Sequence, residues 1–430
     1  MNNIRPNNSI NTDHLILGAG IAGLAASKKC NEHGIENLIL EKSSSAGGLL
    51  AGFDIQGFKF DQAVHLSFAT EPEVRKVFDL TPYHTHQADP WNIENGTWIK
   101  HPVQYNLHPL EIEDKIDLIQ SFINRPNIKN PKNYNDWLLT NFGEKLANRF
   151  PGKYTRKYWD KDPTLLSTTW IKERVKPITL DNILRGAMSD VTSHNYYVKE
   201  MRYPINGGYK SFIDPLIKQA KIFYNSNVMS IDLDKKEVTV QQTKYSYKKL
   251  ISSIPLPILI EKINSKPNVV YESSKKLECT SIDLISIGIK KSSFNKLWFY
   301  LYDIENPFSR VHMPSVKSNL NAPDNYVSFQ FEAYTNQRES KFSPNFLKER
   351  ALDFIIKNKI SAIEDVIFVD HRRVPWGNVT FYKGMECDRK IIINFLKKNN
   401  ISVCGRFGEW DYLWSNQSFM SGYNAIKPPK

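Results

Sequence analysis

Residues 14–48, HLILGAGIAGLAASKKCNEHGIENLILEKSSSAGG, constrain this chain more than any other stretch. Residues 14–17 read as a short apolar strand, and Gly18, Gly20 and Gly23 follow at G-x-G-x-x-G spacing. A helix-period stretch then runs to residue 32, and a second apolar strand over 37–40 ends in Glu41. Strand, glycine turn, helix and strand in succession are the context in which this spacing binds a dinucleotide. Gly18 closes the tight turn, Gly20 lets the backbone approach a pyrophosphate, and Gly23 lets helix and strand pack closely. The helix N-terminus offers unpaired N–H groups and a partial positive charge to that pyrophosphate. Glu41 stands 18 residues past Gly23, placed to accept hydrogen bonds from a ribose diol. A lone glycine fingerprint is also what an ordinary turn looks like. Both strands, the helix and the acid together select the dinucleotide reading and an α/β fold.

The continuation distinguishes the cofactor. After Lys42 a small-residue loop reaches Gly47 and Gly48, followed by the hairpin pattern LLAGFDIQGFKFDQAVHLSF. This resembles the glutathione-reductase type of FAD-binding fold, in which the glycine pair lets the backbone run close to the ribityl chain and pyrophosphate. The resemblance implies non-covalent FAD rather than NAD. It places Lys42, Gly47, Gly48 and the later Val228 among the cofactor-binding residues.

Length and composition set the remaining bounds. With 430 residues the chain holds two or three domains and ample core. No 18-residue apolar run is present, so no membrane span is expected, and the N-terminus lacks the apolar core of a signal peptide. Cys30, Cys279, Cys387 and Cys404 show no paired spacing and read as free thiols of a cytoplasmic protein. A net charge of +12 admits nucleic acid, an anionic membrane surface or small anionic ligands as partners. The lysines are dispersed and no nucleic-acid motif occurs. A solvated basic surface is the simplest reading, with phosphorylated small molecules the alternative and no nucleic-acid partner expected.

Along the chain, residues 109–195 turn helical, and 202–217, with Gly207-Gly208 before a helix, resemble a return to the FAD domain. Strands are expected over 223–231, 237–241 and 250–254, the last ended by Pro255 and Pro257. Residues 280–335 alternate as strands of a largely antiparallel sheet, a helix follows near 345–358, and a strand near 366–371. The resulting division is a discontinuous FAD-binding domain (10–105, 200–260 and 380–430), an inserted helical domain (106–199) and an antiparallel β-sheet substrate domain (261–379).

Three further stretches point to one family. YTRKYWDKDPTLLSTTWIKERV (154–175), GTWIKHPVQYNL (96–107) and GRFGEWDYLWSNQSFMSGYNAI (405–426) resemble segments of UDP-galactopyranose mutases, the last two closer to the eukaryotic-type branch. With the glycine fingerprint and DQAVHLSF, the resemblance covers nearly the whole chain in order. It implies an isomerase that interconverts pyranose and furanose forms of a nucleotide sugar, UDP-galactopyranose first, for cell-surface polysaccharide or glycoconjugate synthesis. In this family the N5 of reduced FAD is the nucleophile at the anomeric carbon, and no net redox change occurs.

The resemblance assigns roles residue by residue. Arg174 (WIKERV) and Arg310 (NPFSRV) would hold the diphosphate, where arginine offers bidentate geometry that lysine does not. Tyr300 and Tyr412 would donate phenolic hydrogen bonds to the same phosphates. His65 would face the flavin, and Gln104, Trp159 and Asn416 would line the nucleotide pocket and flavin face. Gly405 and Arg406 of GRFG, with Asn416 and Gln417, complete the expected cofactor set. Each has a plainer reading as an ion pair or a core aromatic. His84 and His86 form an H-x-H without a third ligand in view, so no metal is expected. The chain departs from the family at His101 and Asn378, where tyrosines are expected, and in a shortened loop after Gln417. A flavin amine oxidase or desaturase is the rival, and it predicts an apolar pocket without the two arginines. No second fingerprint for NAD(P)H is visible, so the reductant stays open, with NAD(P)H among the candidates. Sugar, base and oligomeric state, a homo-oligomer included, stay open too.

Overall fold

The structure, a computed structural model, describes residues 9–171, 174–191, 200–290 and 292–427. Among them, two seven-stranded sheets organise the chain. Strand Ser9–Leu17 lies at the middle of the first, parallel to Asn37–Leu40 on one side and Thr243–Ser252 on the other. Ile222–Phe223 extends it beyond Asn37–Leu40, and Ile401–Val403 pairs in parallel with the end of Thr243–Ser252. Where the three central strands run side by side they are apolar, at Leu15–Leu17, Leu38–Leu40 and Leu250–Ile251, and buried on both faces, as parallel pairing favours. Helix Ile21–Glu32 packs on one face and, in turn, against Ser415–Asn424. There Gly422 permits the contact: a Cβ would lie 1.9 Å from the Ala22 carbonyl oxygen.

Two expectations change here. The strand expected over 223–231 is two short strands, Ile222–Phe223 and Ser230–Asp232, in different parts of the sheet. Between them the backbone bonds to the loop after Asn37–Leu40, with Asn225 N–H donating to Ser43 O at 3.1 Å and Ser226 N–H to Glu41 O at 2.8 Å. Pro257, read as punctuation, lies in the first turn of helix Leu256–Lys262, where a missing N–H costs nothing.

The second sheet runs Val366–Val374, Thr280–Lys290, Tyr326–Asn336, Arg310–His312, Trp298–Leu301, Trp91–Glu94 and Thr97–Lys100. Its pairs are antiparallel except Trp298–Leu301 with Trp91–Glu94. Residues 91–100, grouped by sequence with the FAD domain, therefore hydrogen bond into this sheet. One face carries Ile285, Ile287, Phe329 and Phe331 against helix Pro344–Lys357. The other carries Ser286, Gln330, Glu332 and Tyr334, also buried. This polar face meets hairpin Gly52–Ile55/Phe58–Asp61 of the first half, for example through Gln330 Nε2 donating to Asp61 O at 3.1 Å.

The stretch expected to be helical folds into helices that include Ile112–Ile123, Tyr134–Phe142, Lys153–Trp159 and Leu180–Met188. Asn133 caps the second, its side chain accepting from Asp136 N–H at 2.8 Å, and Thr179 with Asn182 forms a capping box on the fourth. Lys157 anchors the third to the second sheet by donating to the carbonyls of Leu301 and Asp303 at 2.8 and 3.0 Å. Burial pushes its ammonium down to about 7.

Candidate active site

A cavity of about 780 Å³ opens between the sheets, bounded at one end by Gly18, Gly20, Glu41, Lys42, Gly47, Gly48 and Val228. This end is made of backbone. Gly20 precedes helix Ile21–Glu32, no side chain caps that helix, and a Cβ built on Gly20 would meet nothing within 4 Å. That open space beside uncapped helix N–H groups suits a pyrophosphate. Gly23 is not on the wall; its Cβ would lie 2.0 Å from the Gly18 carbonyl oxygen, so its role is packing. Glu41 is buried, with Oε2 accepting Ala19 N–H and Oε1 accepting Ser43 N–H, both at 2.8 Å. The carboxylate thus joins the fingerprint turn to the next loop, and about two of its four acceptor positions remain for a diol. Gly47 N–H donates to Ala19 O at 2.9 Å and closes the cradle.

At the other end the wall is side chain: Tyr158, Tyr300, Arg310, Tyr334, Arg406, Tyr412 and Trp414. Arg310 is bonded to Glu332, Nε at 2.8 Å and Nη2 at 2.6 Å, and its Nη2 reaches Tyr334 Oη at 3.0 Å. Burial opposes the charge, but Glu332 outweighs it and holds the guanidinium protonated. Nη1 makes none of these bonds. Arg174 is not on the wall. Its guanidinium lies 4.5 Å from the Tyr412 ring and 4.6 Å from the Trp414 ring, and its Nη2 donates to Tyr412 O. Arg406 lies 5.1 Å from the same Tyr412 ring, and Tyr412 Oη pairs with Tyr158 Oη at 2.8 Å. Arg174 therefore supports a wall residue rather than facing the cavity directly.

His65 lies on the wall, its ring 5.1 Å from that of Tyr209. Its Nδ1–H donates to Ala63 O at 3.1 Å, which leaves Nε2 as the lone-pair nitrogen of the neutral ring. Burial pushes its pKa down to about 4, against the opposing pull of Asp61. His101 packs 4.8 Å from the Tyr300 ring, and burial lowers it to about 3. Asn378 is on the wall, buried, its Oδ1 accepting from Arg406 Nη1 at 3.3 Å.

Besides Gly23 and Arg174, four expected site residues lie off the wall. Gln104 is half-buried in a short turn over Val103–Tyr105, and Trp159 is a core aromatic 5.2 Å from Trp170 and 5.4 Å from Tyr412. Asn416 Nδ2 donates to Glu71 Oε1 at 2.8 Å, and Gln417 Oε1 accepts Trp414 N–H at 3.0 Å, capping the helix it opens. The shortened loop is that helix, unbroken over Ser415–Asn424, with Phe419 buried beneath it. His86 Nε2 donates to Lys317 O at 2.8 Å. Among the described residues no group of three metal-ligating side chains occurs, and no helix is long and apolar enough to cross a membrane. Sequence reading missed Glu332, Tyr334 and Tyr158. The available signal was polar residues at every second position of a strand flanked by apolar neighbours, SFQFEAY.

A family model for the NAD(P)-binding Rossmann-like domain matches residues 16–80. Among solved structures the chain is similar to a reduced UDP-galactopyranose mutase, at 26% identity and a TM-score of 0.90, covering 96% of this chain and 94% of that one. A putative protoporphyrinogen oxidase from Exiguobacterium sp. 255-15 follows at 14% identity and a TM-score of 0.71, with 96% and 97% coverage. A putrescine oxidase follows at 13% and 0.64, with 97% and 98% coverage. The two oxidases share the fold alone. The α/β Rossmann-like fold stands, and so does the resemblance to the UDP-galactopyranose mutase family.

Proposed function

We propose that this protein is an FAD-dependent mutase that interconverts the pyranose and furanose forms of a nucleotide sugar, with UDP-galactopyranose the first substrate to try. The observation that carries this reading is a single cavity with a backbone cradle for a dinucleotide at one end and an arginine–tyrosine wall at the other. Reduced flavin, when bound, supplies the nucleophile for the anomeric carbon. Gly20 and the N-terminus of helix Ile21–Glu32 hold its pyrophosphate, and Glu41 its ribose. Arg310 stays protonated beside Glu332 and turns Nη1 to a phosphate oxygen, offsetting the charge that grows on the leaving diphosphate. Tyr300 and Tyr412 donate to the same group, and Arg174 acts by fixing Tyr412 from behind. Neutral His65 offers Nε2 as an acceptor beside the flavin and adds no competing charge. Two arginines on the wall suit an anionic substrate better than the amine, cationic in water, that an amine oxidase would take.

The test incubates dithionite-reduced protein with a panel of nucleotide sugars and separates the products by chromatography. Isomerisation without consumption of reducing equivalents supports the proposal. Stoichiometric substrate oxidation with peroxide release would replace it with the oxidase reading.

A further inference from the structure

Residues 62–66 all line the cavity, and within them Ala63 holds a φ of +75°. That left-handed region is costly for a residue carrying a Cβ, and it persists only where the surroundings over-determine it. Bonds on both sides do so. After the turn, Val64 N–H donates to Glu332 Oε1 at 2.7 Å and His65 Nδ1–H returns to Ala63 O. Before it, Asp61 Oδ2 accepts from Lys317 Nζ at 2.6 Å and Tyr203 Oη at 2.8 Å, and Oδ1 accepts Tyr209 N–H at 2.9 Å. Lys317 and Asp61 are 0% and 1% exposed, and Lys317 is not on the cavity wall. A buried ion pair of this kind adds little net stability, since desolvation consumes most of the attraction. What it fixes is geometry, because Lys317 belongs to the second sheet's half of the molecule and Asp61 ends the hairpin of the first.

We propose that Lys317 is a positioning residue. Through Asp61 it holds the left-handed turn at Ala63, and with it the edge that His65 presents to the cofactor. The inference rests on the flavin reading of the cavity, and its test reads the flavin without substrate.

The experiment compares flavin-loaded wild type, Lys317→Met and the charge-free pair Asp61→Asn/Lys317→Met, which keeps the test open should the single variant fold poorly. The visible circular-dichroism bands of the flavin shift in both variants, and kcat falls on the order of tenfold through misplacement. KM for the nucleotide sugar stays within about twofold, because Arg310 keeps Glu332. Glycine adopts positive φ freely. Adding Ala63→Gly to either variant therefore returns the bands toward wild type, which a merely structural role for Lys317 would not allow. Wild-type bands in both variants, or shifted bands that Ala63→Gly leaves unmoved, overturn the inference while the flavin reading stands. Shifted and rescued bands in a protein that isomerises no nucleotide sugar would uphold the inference and sink the proposed reaction.

Discussion

The two ends of the cavity are built by opposite means. Apart from Val228 the cradle is one continuous segment, Gly18 to Gly48, and apart from the Glu41 carboxylate its working groups are backbone N–H donors and the absence of a side chain at Gly20. The arginine–tyrosine wall is assembled from residues as far apart as Tyr158, Arg310 and Tyr412, and its working groups are side chains. A backbone site fails when any bulk is added. A side-chain site fails by degrees, according to which partner is left behind.

The comparison is broken most directly at Gly20. Gly20→Val puts bulk into the cavity at a point where a Cβ meets no protein atom within 4 Å, so FAD binding should weaken by about a hundredfold or more with the melting temperature held. Gly23→Ala should do the reverse: its Cβ meets Gly18 O at 2.0 Å, destabilising the packing by about 1–3 kcal/mol. Flavin absorbance and thermal melts of the two purified variants separate these roles. A yellow Gly20→Val protein would move the cofactor elsewhere.

At the wall, Arg310→Ala should lower kcat/KM on the order of tenfold to a hundredfold. It should also destabilise the fold by up to about 3–5 kcal/mol, because Glu332, 0% exposed, loses its counter-charge. Val64 N–H and Tyr334 Oη remain bonded to Glu332 and soften that loss. The arginine role inferred from sequence carried no such stability cost; the buried pair supplies it. Arg174→Ala, one layer behind Tyr412, should cost about tenfold or less. Titration of each variant with UDP checks the order, and a larger loss at Arg174 would place that residue, not Arg310, on the phosphate.

The two histidines sharpen the comparison, His65 at the cofactor segment and His101 beside Tyr300. Both are held neutral below the ordinary pKa of 6.5, so the unfolded chain binds more protons as the pH drops through that value. Their contribution to stability is fully present above pH 6.5 and is lost as the pH falls toward about 4 for His65 and about 3 for His101. For His65 the loss is roughly 1–3 kcal/mol, the lower end because the ring is only half-buried. Melting temperature against pH from 7 down to 4 should slope less in His65→Asn than in wild type; an equal slope would mean the ring titrates normally.

The smallest effect belongs to Gln417. Gln417→Ala removes one helix-end hydrogen bond to Trp414 N–H and should cost about 1 kcal/mol with the flavin spectrum unchanged. A changed spectrum would return Gln417 to the cofactor set.

How legible each part was follows from the same contrast. Helix Ile21–Glu32 and strand Asn37–Leu40 appear where periodicity put them, and the alternation over 280–335 marks the second sheet's long strands. The strand over 223–231 failed because a local stretch says nothing about a chain that leaves one sheet edge and rejoins elsewhere. Sequence could not show that Asn416 Nδ2 is turned to Glu71 and Gln417 Oε1 to the helix start, because both partners are set by how the chain packs.

The sequence by itself determined the α/β class, the dinucleotide cradle and the kinds of residue present, because a turn, a helix N-terminus and an acid at fixed spacing act through local backbone geometry. Only the tertiary structure decided that Arg310 faces the cavity paired to Glu332, that Arg174 stands behind Tyr412, and that Lys317 clamps Asp61. The partners in each pair are separated by 22, 238 and 256 positions. What joins them is sheet register and the desolvation of buried charge, and neither is written in any one segment of the chain.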